Sequence, residues 1–115
     1  MSSKSVAKGI IMGVSDVGGD VLSVAKQVIR GAVKGAGEIG ADVGQVALRT
    51  VDGIIEAARE TGSNAEEMAK VTVNGAIEAA GSIGNTAVKA VRDVLVNTVE
   101  GVKDIAGAAL PKRKP

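Results

Sequence analysis

The 115-residue chain has no Phe, Tyr, Trp, Cys or His. Without His and Cys it lacks the usual bases near neutral pH, the thiol nucleophile and the soft metal ligands. An enzyme is therefore not expected, and no catalytic residue, metal site or cofactor is assigned. The absence of Cys also excludes disulfides and Cys-based zinc sites. No uncharged apolar run approaches the roughly 18 residues of a membrane span, so any membrane role would lie at the surface. Lys4 and Lys8 precede the apolar run Ile10-Ile11-Met12, but Gly13 and Asp16 end it short of a signal-peptide core. The N-terminus reads as mature sequence, and the expected location is cytoplasmic, with a peripheral place on a membrane or granule also open.

Neither sign of charge dominates: 14 basic and 13 acidic residues leave a net charge of +1. That balance argues against nucleic acid as a partner, because phosphate binding needs a concentrated basic face. A small-molecule substrate is not expected either. The charges are unevenly placed, with basic residues towards both ends and an acidic middle between Gly35 and Glu78. The chain closes on Lys112-Arg113-Lys114 between Pro111 and Pro115, a basic tail at 111–115 beyond a single helical domain at 1–110.

What is present is small: the 45% apolar fraction is mostly Ala, Val and Ile, and 16 residues are Gly. The glycines are periodic. Gly9, Gly31, Gly53 and Gly75 form one series, Gly18, Gly40, Gly62 and Gly84 another, both stepping by 22 residues. Two residues after the second series stand Asp20, Asp42, Asn64 and Thr86, whose short side-chain oxygens suit an N-cap. Gln45 and Glu67 follow Asp42 and Asn64 at the capping-box distance. Gly-x-Asp/Asn/Thr thus reads as a helix stop followed by a start, with joints near 18–20, 40–42, 62–64 and 84–86.

Between joints, apolar residues recur on one helical stripe. Its larger members are Val21, Ile29, Val43, Val51, Ile55, Val73, Ile77, Val91, Leu95 and Val99. The expected fold is all-α, built of tandem 22-residue amphipathic helices. Because six turns of about 3.67 residues also make 22, a helix running through the joints would keep the stripe on one side. Two architectures stay open: an antiparallel helical bundle or array, and one long interfacial helix.

Several local patterns have plainer readings than their chemistry suggests. Gly35-Ala36-Gly37-Glu38-Ile39-Gly40 spells a dinucleotide fingerprint, but no strand pattern precedes it and two of its glycines belong to the repeat. Glu56 with Glu60, and Glu66 with Glu67, are read as solvated polar faces rather than metal or acid–base pairs. The spacings Gly9 to Gly13, Gly31 to Gly35 and Gly40 to Gly44 are read as close helix contacts rather than membrane pairing.

A 22-residue amphipathic helix with breakers resembles the exchangeable apolipoproteins, and the aromatic-free Val, Ala, Gly and Thr texture resembles the repeats of perilipins. Val33-Lys34-Gly35-Ala36-Gly37-Glu38 and Val99-Glu100-Gly101-Val102-Lys103-Asp104 carry that likeness. Phasins of polyester granules and late-embryogenesis proteins are similar in their Ala-rich helices. Apolipoproteins differ in using proline punctuation and aromatic anchors. The resemblance implies a coat on a lipid or hydrophobic granule surface, with the stripe down and the polar face outward. The alternative on the same residues is a self-assembling helical scaffold, with the partner another copy of the stripe. A stress protein that folds on drying comes third.

Overall fold

The computed structural model describes residues 3–98, and within them the chain forms five α-helices and no strand. They are α1 (Ser3–Asp16), α2 (Val21–Glu38), α3 (Val43–Thr61), α4 (Ala65–Ile83) and α5 (Asn85–Thr98). Val99 and the basic tail with Lys112, Arg113 and Lys114 lie outside the described residues.

Three of the joints share one geometry. Gly18, Gly40 and Gly62 take the left-handed conformation, with φ of 72°, 72° and 75°. A Cβ would be strained there, which is why glycine occupies these positions. The next N–H reaches back five residues to satisfy an orphan carbonyl: Gly19 to Val14, Ala41 to Ala36 and Ser63 to Ala58, each at 2.9 Å. The following helix is then capped by a side chain. Asp20, Asp42 and Asn64 accept from the backbone N–H of Ser23, Gln45 and Glu67 at 3.1, 3.2 and 3.1 Å.

The fourth joint corrects the sequence expectation. Thr86 is not a cap: α5 begins at Asn85, so Thr86 sits within its first turn. Gly84 alone makes the joint, at φ 155° and ψ 173°. Its N–H donates to Ala80 O and its own carbonyl accepts from the Val88 N–H. One glycine therefore ends α4 and starts α5, leaving no place for a separate capping residue. Asp42→Ala is accordingly expected to cost about 0.5–2 kcal/mol, whereas Thr86→Ala should leave the thermal melt unchanged or slightly raised. Melts of both variants by circular dichroism check this.

The principal packing skips one helix: α1 lies chiefly against α3, α2 against α4 and α3 against α5. Side-chain registers give the directions. Lys8 meets Glu56 and Glu60, one to two turns beyond the Gly53 that lies against Lys4, so α1 and α3 run the same way. Gly75 lies against Ile29 and Ile83 against Gly37, so α2 and α4 also share a direction. The Cα radius of gyration is 13.1 Å, close to the roughly 13 Å of a compact chain this long. A single helix of 115 residues would be about 170 Å long at 1.5 Å per residue, so the chain adopts a folded bundle rather than one continuous helix. The smallest extent, 20 Å, matches two helix diameters of about 10 Å each.

Candidate functional site

The stripe read from the sequence converges on one core. Ile29, Val51, Val73, Val91 and Leu95 are fully buried and Ile55 nearly so, while Val21, Val43 and Ile77 pack half-buried at its margin. Ile11, Met68 and a set of alanines fill the remainder. Sequence reasoning missed a second buried face on α3 and α4, carried by Ile54, Ala57 and Ala58 and by Ala76, Ala79 and Ala80. These two helices have neighbours on both sides. The signal was available in the pairs Ala57-Ala58 and Ala79-Ala80, which widen the uncharged arc beyond one stripe. Thr50 and Thr72 are buried on this face as well, and each satisfies its hydroxyl by donating to the carbonyl four residues earlier, Val46 at 2.7 Å and Met68 at 2.5 Å.

Glycine controls how closely these faces meet. A Cβ on Gly53 would collide with the backbone carbonyl of Lys4, so α3 approaches the α1 main chain directly. On Gly75 it would stand 2.9 Å from Ile29 Cγ2, and on Gly37 2.6 Å from Ile83 Cδ1. On Gly44 it would be 3.3 Å from the Ala90 carbonyl, placing that glycine at the α3–α5 contact. At Gly9, Gly13, Gly31 and Gly35 a Cβ would meet nothing within 4 Å, so these positions are open.

One charged cluster ties α1 to α3. Lys8 Nζ donates to Glu56 Oε1 at 2.8 Å and also pairs with Glu60, and Lys4 Nζ lies 3.2 Å from Glu56 Oε2. Donating to Glu56, then to Glu60, holds the Lys8 ammonium above its ordinary pKa, and accepting from Lys8, then from Lys4, holds the Glu56 carboxyl below its own. Burial raises the neighbouring Asp52 carboxyl, opposed by Lys4 and reinforced by Glu56. The stabilisation through Glu56 is present above the ordinary carboxylate range and lost as pH falls through its lowered folded value. That through Lys8 is present below the ordinary lysine value and lost as pH rises through its raised one. Glu56→Gln is expected to give a small drop in melting temperature at neutral pH. The drop should fade in 1 M salt, because the cluster is solvent-exposed, and at low pH, because protonated Glu56 carries no more charge than Gln.

The arrangement is that of a packing device. Gly35 and Gly37 lie inside α2 and Gly40 closes it, so the glycine fingerprint is a helix end and not a loop between strand and helix. A shallow open depression formed by Lys34, Gly37, Glu38, Ser82 and Ile83 marks where the end of α4 meets α2. Among the described residues no helix is long and apolar enough to cross a membrane. Compared with known families, curated proteins and solved structures, the chain finds no match. Fold and contacts define an all-helical bundle of small-residue helices.

Proposed function

We propose that the chain is a non-enzymatic structural protein: a tandem array of 22-residue helical units, successive helices alternating in direction, that works by self-association. The observation that carries this reading is the use made of mid-helix glycine. In an exposed helix interior glycine is less favourable than alanine by about 0.8–1 kcal/mol, and a ribbon lying on lipid has no use for that loss. At Gly53 and Gly75 the missing side chain instead admits a neighbouring helix. The same stripe that would have to face a lipid surface is occupied by the protein's own helices, so coating would require the bundle to open.

Far-UV circular dichroism with a thermal melt, in buffer and then with anionic vesicles and a neutral-lipid emulsion, tests the reading. A cooperative helical melt in buffer, unchanged by lipid, is the expected result. Weak helicity in buffer that rises sharply on adding lipid would replace the scaffold by the surface coat.

A further inference from the structure

α1 and the turn that follows it carry an exposed apolar face with a definite counterpart inside the molecule. Val6, Gly9, Ile10, Gly13 and Val17 recur on one side of the first unit, at 43% exposure for Val6, 41% for Ile10 and 82% for Val17. Two units later the corresponding residues are Thr50, Gly53, Ile54, Ala57 and Thr61. Of these, Thr50, Gly53, Ile54 and Ala57 are buried, and Gly53 is seated on the α1 backbone. One unit further still, Thr72, Gly75, Ala76 and Ala79 are buried on α4, and Gly75 is seated against Ile29 of α2. This is the face by which a helix packs on the helix two places before it, and α1 has no such helix among the described residues.

Among the described residues the opposite end shows the complementary gap. Ile11, Val33 and Ile55 are buried where a later helix covers them, but their counterpart Ile77 on α4 is only half-buried. Gly81 corresponds to Gly37, the position against which Ile83 inserts, yet a Cβ at Gly81 would meet nothing within 4 Å. Lys70 and Asn74 are exposed on the same side.

We propose that the exposed α1 face docks on the outer face of α4 in a second copy of this chain, repeating between molecules the packing of α3 on α1 and of α4 on α2. In that register Gly9 meets the Lys70 turn and Val17 enters the space at Gly81. Asp16 approaches Asn74, as Glu60 approaches Lys8 within the chain. The two surfaces differ, so the contact is head to tail, and growth stops only where it closes into a ring. The proposal rests on the self-association reading above.

The test uses Gly9→Glu to block the head and Gly81→Glu to block the tail. Both positions are exposed with open space around them, and Glu is the better helix former, so the melt should be kept or raised. Sedimentation velocity of the wild type across a concentration series is expected to show progressive oligomers. Each variant alone should stay a monomer, and the two mixed should form a one-to-one dimer and stop. Self-pairing of either variant, with the wild type still associating, would overturn the head-to-tail contact while leaving self-assembly in place. A wild type that remains a monomer at all concentrations would remove self-assembly itself.

Discussion

Gly53→Ala is expected to lower the melting temperature, and Gly31→Ala, the same change one unit earlier, to raise it. Both replace a helix-interior glycine and so gain about 0.8–1 kcal/mol of helix propensity. At Gly31 nothing opposes the gain, because the new methyl points into open space. At Gly53 the methyl collides with the Lys4 carbonyl, a backbone atom that yields only if α1 as a whole moves off α3. Overpacking of this kind costs about 1–3 kcal/mol, and the displacement also loosens Ala7 and Ile11 from the core. With about 4–8 °C per kcal/mol in a domain near this size, the two variants should melt on the order of 10 °C apart. Equal stabilisation by both changes would mean that α1 is not seated on α3.

Val51→Asp is expected to unfold the protein at room temperature. Val51 is fully buried in α3, the helix that packs against all four others. Lys4 and Lys8, the α1 lysines nearest α3, are committed to Glu56 and Glu60. An unpaired buried charge costs several kcal/mol, which for a core of Ala, Val and Ile is comparable to a whole stability of about 5–15 kcal/mol. Val17→Asp introduces the same group at a position 82% exposed. It should cost no more than about 1 kcal/mol, from the unfavourable end of the α1 dipole. Loss of far-UV ellipticity in the first variant and its retention in the second, in dilute solution, is the measurement; a cooperative melt for Val51→Asp would place that side chain outside the core.

Helix existence and the joints at Gly18, Gly40 and Gly62 are legible in the sequence because each is fixed by residues within a few positions of itself. A left-handed glycine and a capping oxygen need no information from elsewhere in the chain. Thr86 misleads for the same reason: it has a capping side chain, but Gly84 closes and opens the helices with its backbone alone, and nothing local distinguishes that from the longer joint. Which helix packs on which is not legible. The stripe says that Val51 and Ile29 are buried, not that α3 meets α1 before it meets α2. The role of the Gly9, Gly31, Gly53 and Gly75 series is hidden too, since all four look alike in sequence and two are packed while two are open. That difference is set by what lies opposite each glycine in the packed helices rather than by the residue.

The skipping of one helix also governs the order in which the protein can assemble. In an up-and-down hairpin each helix meets its partner as soon as the next one exists, which keeps contacts local and folding fast. Here Ile29 waits for Gly75, and Lys4 for Gly53, so each principal contact closes a loop that contains an entire intervening helix. Such contacts carry their closure entropy before any burial offsets it. During synthesis α1 and α2 together therefore lack their main partners. Until α3 has emerged, the first two helices are exposed amphipathic segments, and the third helix is the point at which the nascent chain acquires something to fold around.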